Sequence, residues 1–334
     1  MNLNHMPIPT TSQTDATRPN VMIRLDPNRS HLANFIARIP KRAITRLGQM
    51  LGRLLYYFDV PHRRIVRRNL QFIHPGWSRN QIQNLAKRIF QHLGITILEF
   101  LQMAYISYEE LMEGIQIEGQ EILTEVLGNQ RGVVLVSAHI GNWETAWQIC
   151  PGYFQKGIIG VAKKLRNAQL NRLIHNRRTR FGNRILYKKG ALPDLLHTLR
   201  RGESVGLLMD ISRRLDGVEV KFFGRRATAT PAAALLALRC KCPIITAFAH
   251  RNAKGQLIIR IEPPIRIQRT GDLRSDLQIN TQQITDRVER AVRDYPEQWN
   301  WTLKRWKDFY PDLYPESKKR LREIKKKKED KRRK

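Results

Sequence analysis

Two side chains in this sequence form a pair that could move a proton: His139 and, five positions on, Glu144. Imidazole is the commonest general base near neutral pH, and a carboxylate on one ring nitrogen decides which nitrogen is left to accept a proton. The residues around His139 set where it would sit. Val133 to Val136 is a short apolar run rich in β-branched side chains, suited to a buried strand. Gly141 and Asn142 then read as a turn, and Trp143 as the start of a helix. Such a strand, turn and helix places His139 at the carboxyl edge of a sheet, where open α/β sheets bind their ligands. On an unbroken helix residues five apart diverge by about 140°, so a His139–Glu144 contact depends on the turn. Gly141 can supply the backbone angles that turn requires. By spacing alone His-x4-Glu is a weak signal, with a packing or surface role as the plain alternative.

The elements that would hold this pair follow from the hydrophobic pattern. Strand-like runs recur at Ile158–Val161, Val205–Met209, Ile244–Phe248 and Leu257–Ile261. Helical patterns alternate with them over Gln169–Arg180, Leu192–Arg200, Pro231–Arg239 and Leu277–Arg293. That alternation predicts an α/β fold with a mostly parallel central sheet flanked by helices. Ahead of it, His31 to Tyr57 repeats apolar residues at helical spacing, interrupted at Pro40 and decorated by Arg38, Lys41, Arg42, Arg46 and Arg53. A basic amphipathic helix of this kind either lies in a membrane interface or packs on its own domain with a solvated basic face. Arg63–Phe72 reads as a second basic helix, and Ser78 as the cap of a long one reaching Met103. The divisions expected are a leader at 1–28, a helical membrane-associating region at 29–105, a catalytic α/β region at 106–312 and a basic tail at 313–334.

Composition limits the classes open to this chain. Its 334 residues are 41% hydrophobic, enough for a real core. Sixty Lys and Arg against 29 Asp and Glu give a net charge of +31. Lys318–Lys334 holds twelve basic and three acidic residues, so nine of those charges sit in the tail and +22 remain elsewhere. That excess implies an anionic partner: a bilayer surface, a phosphorylated substrate, an acidic protein or nucleic acid. Cys150, Cys240 and Cys242 are too few and too badly spaced for a disulfide framework, and Cys240-Lys-Cys242 has no matching pair for a metal. No run approaches the roughly eighteen apolar residues of a membrane span. Residues 1–20 are polar and lack the apolar stretch of a secretory signal.

Taken in order, several blocks resemble the lipid A biosynthesis acyltransferase family, the lauroyl- and myristoyl-transferases of the glycerolipid acyltransferase superfamily. The run from His139 through Gly141, Asn142 and Trp143 to Glu144 matches that family's His-x4-Glu block. Upstream, the segment from Arg63 to Asn69 and Leu70 is similar to its basic Arg-Asn-Leu signature. Downstream, Val161 to Asn167 resembles its second block, and Gly202 to Asp210 followed by Phe222 to Arg225 its third. Pro296 to Trp301 and Arg305-Trp306 fit its close. Two positions depart: Lys163 stands where the family usually has arginine, which loses the bidentate fork suited to phosphate, and Ile211 follows Asp210 where glutamine is frequent.

The resemblance implies a single glycerolipid-acyltransferase-like α/β domain at the cytoplasmic face of the bacterial inner membrane, peripheral or monotopic. It implies transfer of a fatty acyl chain from acyl-acyl carrier protein or acyl-CoA to a hydroxyl of a lipid A precursor or related glycolipid. His139 would be the general base and Glu144 its orienting acid, with no cofactor and no metal. Substrate contacts are expected from Gly141 and Asn142, whose amides could meet an oxyanion, and from Lys163, Lys164, Arg166, Asp210 and Arg225. The partners expected are an anionic membrane surface, acyl carrier protein and a phosphorylated glycolipid acceptor, with no nucleic acid. A lysophospholipid, a phosphatidylinositol mannoside or an aminolipid is the alternative acceptor. A basic nucleic-acid-binding protein is the alternative from another class, though no recognised nucleic-acid module accompanies the charge. Trp299, Trp301 and Trp306, interleaved with Lys304, Arg305 and Lys307, are expected either in packing or at a bilayer surface. His175, His197 and His250 are expected to be structural.

Overall fold

The computed structural model describes residues 35–128, 132–154, 157–187, 190–213 and 217–316. The leader at 1–28 and the tail from 317 onward lie outside the described residues.

Among the described residues, three long helices precede the sheet: α1 (Lys41–Phe58), α2 (Val60–Ile73) and α3 (Arg79–Gln102). Pro40 stands immediately before α1 rather than inside it. Ser78 caps α3 as its sequence predicts, in a reciprocal capping box with Gln81. α1 and α3 cross at backbone contact. A Cβ on Gly52 would lie 2.2 Å from the Phe90 carbonyl oxygen, and one on Gly94 2.2 Å from that of Gly48. Only glycine lets the helix axes come this close.

Among the described residues, seven strands form the central sheet in the order β1-β9-β8-β2-β5-β3-β4. They are β1 (Ile115–Glu118), β2 (Val134–Ser137), β3 (Ile158–Ala162), β4 (Arg184–Tyr187), β5 (Ser204–Leu208), β8 (Ile244–Arg251) and β9 (Leu257–Glu262). All neighbours are parallel except β8 and β9. An antiparallel hairpin, β6 (Val218–Phe222) and β7 (Arg225–Ala229), stands apart. Connecting helices are α4 (Tyr108–Met112), α5 (Gln120–Gly128), α6 (Trp143–Ile149), α7 (Ala168–Thr179), α8 (Ala191–Arg200), α9 (Ala232–Cys240) and α10 (Leu273–Asp294).

The mostly parallel sheet flanked by helices is the architecture the alternation predicts. Its central strands match the apolar runs, whereas the four-residue edge strands β1 and β4 do not emerge from sequence. Ile-Gln-Ile-Glu and Arg-Ile-Leu-Tyr carry too few apolar residues to declare a period.

Helices cover both faces. α6, which follows β2, packs through Ile149 on Ile245, Ala247 and Ala249 of β8. α9, which follows β5 by way of the hairpin, packs through Ala233, Leu236 and Ala237 on Val134, Val136 and Ile244. Adjacent parallel strands that send their helices to opposite faces open a crevice at their carboxyl ends, the place where such sheets bind ligands. A third core closes over that end. It joins Ala138 and Ile140 to Leu70, Ile89 and Phe90 of α2 and α3, to Phe222 of the hairpin, and to Trp299, Trp301 and Trp306. These three tryptophans are fully buried, which overturns the bilayer-surface alternative and establishes packing. No described helix is long and apolar enough to cross a membrane.

Candidate active site

His139 stands in the crevice between β2 and β5. The register pairs Ser137 with Leu208, and the Met209 amide donates to the Ser137 carbonyl at 2.9 Å. Two residues beyond each paired position come His139 and Asp210, so parallel pairing alone delivers them to the same place. His139 Nδ1 lies 2.8 Å from Asp210 Oδ1, and the His139 amide donates to Asp210 Oδ2 at 2.9 Å. Trp299 Nε1 donates to that same oxygen at 2.9 Å. Asp210 is completely buried, while the His139 side chain keeps 17% of its exposure.

The two groups hold each other charged. Burial pushes the Asp210 carboxyl up, but the His139 charge, its two hydrogen bonds and the Trp299 indole outweigh that and leave it below its ordinary 3.8. Burial likewise pulls His139 down, and the Asp210 carboxylate, helped by Glu144, reverses this and leaves it above 6.5. With Nδ1–H held by Asp210, the neutral tautomer carries its lone pair on Nε2.

This corrects the partner expected for His139. Glu144 does not take the ring nitrogen. As the second residue of α6 it turns aside, accepting from Arg178 Nε at 2.9 Å, from Arg178 Nη2, and from Trp143 Nε1 at 3.2 Å. Arg178 comes from the last turn of α7. Burial lowers its pKa, but the Glu144 carboxylate more than compensates and raises it. The ion pair is close enough for both charges to act on His139, in opposite senses. Trp143 sets its ring edge against the imidazole, with centroids 5.1 Å apart.

The Gly141 amide is also corrected, from oxyanion contact to scaffold, and the Asn142 side chain joins that scaffold. Gly141 adopts φ +56, and a Cβ there would lie 2.1 Å from the Ala249 carbonyl oxygen. Its amide donates to the Gln298 carbonyl at 2.9 Å, so it does not point at an oxyanion. Asn142 is fully buried and caps α6, accepting from the Thr145 amide at 3.0 Å. Its Nδ2 donates to Glu99 on α3. Glu99 also binds Arg251 of β8, while Thr96 donates to the Gly141 carbonyl at 3.0 Å. α3 therefore braces the turn from behind.

The remaining cations divide. Lys163, Lys164 and Arg166 are exposed on the loop after β3, at the same carboxyl edge as His139. Arg225 lies over the Phe72 ring of α2 at 5.0 Å. His250 is buried and stacks on Tyr295, centroids 3.9 Å apart. Among the described residues no cluster of His, Cys, Asp and Glu could hold a metal ion. Arg178, Glu99 and Arg251 were not singled out from sequence, and Trp299 was expected only in packing or at a bilayer, not on Asp210. Each acts across more than thirty residues, and no local spacing announces such a contact.

Comparison with known proteins gives this geometry its context. The chain is 24% identical to the lipid A biosynthesis lauroyltransferase of Escherichia coli over 281 residues, 82% of this chain and 88% of that protein. It is 23% identical to a lipid A biosynthesis acyltransferase of Haemophilus influenzae over 293 residues, 84% and 87% of the two chains. It is 20% identical to the lipid A biosynthesis palmitoleoyltransferase of Escherichia coli over 274 residues, 81% and 87%. The sequence profile described as bacterial lipid A biosynthesis acyltransferase matches residues 31–308. With that match spanning most of the chain, the protein is an acyltransferase and belongs to the bacterial lipid A biosynthesis acyltransferase family.

Proposed function

We propose that this enzyme moves a fatty acyl chain from an acyl thioester, carried by acyl carrier protein or CoA, to a hydroxyl of a lipid A precursor. The observation that carries the mechanism is the 2.8 Å contact of His139 Nδ1 with buried Asp210 in the crevice between β2 and β5. His139 Nε2 takes the hydroxyl proton as the oxygen attacks the thioester carbonyl. The tetrahedral intermediate then expels the thiolate, the C–S bond breaks, and the imidazolium returns its proton to sulfur. Ester and thiol are the products, and the base is regenerated. A positioned base of this kind contributes about 10²–10⁴-fold. Asp210 fixes the tautomer and stabilises the imidazolium. Arg178, held by Glu144, supplies positive charge toward the developing oxyanion. Lys163, Lys164 and Arg166 meet the acceptor's phosphate.

Membrane attachment is part of the same proposal. α1 exposes Leu47, Met50, Leu54, Tyr57 and Phe58, and α3 adds Ile97 and Leu101. Exposed apolar residues on a helix that also carries Arg42, Arg46 and Arg53 suit a helix lying in an anionic bilayer surface without crossing it.

Mass spectrometry of glycolipids from cells with and without the protein, repeated with His139→Ala, tests the reaction. A gain of one acyl mass seen only with the unaltered chain is expected. Full restoration of the same lipid by His139→Ala would refute the mechanism.

A further inference from the structure

Away from the His139 crevice, α2 and the start of α3 enclose a surface groove of about 350 Å³, lined by Arg64, Arg67, Arg68, Gln71, Arg79 and Ile82. Arg64, Arg67, Arg68 and Gln71 recur at i, i+3, i+4 and i+7, so they share one face of α2. The helix buries another face through Ile65, Val66, Asn69 and Leu70. Arg79 joins them as the first residue of α3.

Four guanidinium groups therefore converge on one concavity, and only Arg68 is matched by a carboxylate, Glu316 at 2.9 Å. Among the described residues Arg64, Arg67 and Arg79 have no acidic partner. Uncompensated like charges repel, so an anion entering the groove relieves a strain in the arrangement itself. Arginine's planar fork matches phosphate oxygens two at a time. The Arg79 end of the groove also stands well along α3 from the catalytic turn. Thr96, which braces the catalytic turn, and Arg79 are seventeen residues apart on α3, about 25 Å of helix. Its neighbour is the exposed apolar end of α1, where Tyr57 and Phe58 are 60% and 80% exposed two residues before α2 begins.

We infer that this groove is a second binding site, which holds the phosphate of a lipid headgroup while the apolar side of α1 rests on the bilayer. The phosphate comes either from a bilayer phospholipid or from the acceptor glycolipid, and the latter source rests on the acyl-transfer function proposed above.

The test uses the full chain with Arg64→Gln, Arg67→Gln and Arg79→Gln combined. Sedimentation with vesicles of phosphatidylglycerol in phosphatidylcholine measures membrane binding, and acyl transfer in detergent gives KM and kcat for the acceptor. A fall of about tenfold or more in binding to anionic vesicles, with acceptor KM unchanged, identifies a bilayer phosphate. A rise of similar size in acceptor KM with kcat unchanged identifies the acceptor's phosphate. Lysine at the same three positions should restore part of either loss. Unchanged vesicle binding and unchanged acceptor KM would overturn the site. A change confined to the KM of an acyl carrier protein donor would overturn it in favour of protein docking. Arg64→Gln alone, on an exposed position, gives the same readouts at smaller amplitude should the triple variant fold poorly. The vesicle measurement needs no turnover, so loss of the catalytic proposal leaves it standing.

Discussion

Two carboxylates flank His139, and they are built for different work. Asp210 is fully buried and accepts three hydrogen bonds, from the His139 ring, the His139 amide and Trp299. Glu144 sits at the start of a short helix, keeps a little solvent exposure and is engaged by a cation, Arg178. A carboxylate surrounded by neutral and imidazole donors can hold a base in one orientation. One already neutralised by a guanidinium instead fixes the position of that guanidinium. The lesson is that the acid nearest in sequence is not the acid on the ring: the neighbouring strand of the sheet supplies it.

The sharpest way to break this distinction is Asp210→Asn. Turnover should fall by about 10²–10⁴-fold, because the amide no longer stabilises the imidazolium and can favour the wrong tautomer. The sign of the pH response follows from the shifts. A base is active only when neutral, so the unaltered enzyme loses kcat/KM as pH falls through the raised pKa of His139. Removing Asp210 removes the largest upward influence, so the acid limb of the variant moves to lower pH. Stability must move consistently. His139's contribution is full below 6.5 and lost as pH rises through its raised folded value; Asp210's is present above 3.8 and lost as pH falls through its lowered one. The Tm gap between the two proteins should therefore be wider at pH 6 than at pH 9. An acid limb that stays in place would dismiss Asp210 as the partner.

A smaller loss is expected from Glu144→Gln, about ten- to a hundredfold in kcat. The base keeps its partner, but the bidentate hold on Arg178 weakens. Unlike Asp210→Asn, it should leave the tautomer intact, and Arg178→Gln should reproduce most of its effect with little further loss in the double variant. Additive losses would separate Glu144 from Arg178 and return it to the imidazole.

How much of this was legible in sequence depends on range. The central strands and α3 were readable because their signals are local: an apolar run, or Ser78 three residues before Gln81. His139 was readable because a strand, a glycine and a helix start surround it. Its partner was not: Asp210 was expected to contact substrate, and nothing in the sequence around it says that it faces the imidazole. That β5 lies beside β2 is a fact of chain crossover, carried by no spacing near either residue. The glycines of α1 and α3 were silent for a related reason. Gly48 and Gly52 read as mild helix weaknesses until Gly94 is found against them.

The finest distinction lies in the third donor to Asp210. Trp299 contributes a buried indole N–H to the oxygen that also receives the His139 amide, and a hydrogen bond to a charged group is worth about 1.5–3 kcal/mol. Trp299→Phe removes that donor but keeps a ring against Phe222, whose centroid is 5.6 Å away. If the indole acts on Asp210, the carboxyl pKa rises and the carboxylate charge is less firmly held. The variant should then lose turnover only a few-fold while its acid-side stability limb moves to higher pH. If Trp299 is merely packing, Tm falls equally at every pH and that limb stays put. Thermal unfolding of both proteins from about pH 2.5 to pH 8, a window that takes in the range below 3.8 where the Asp210 limb falls, decides between them. It also locates the difference between the carboxylates in the donors around Asp210 rather than in burial alone, since Phe preserves the burial.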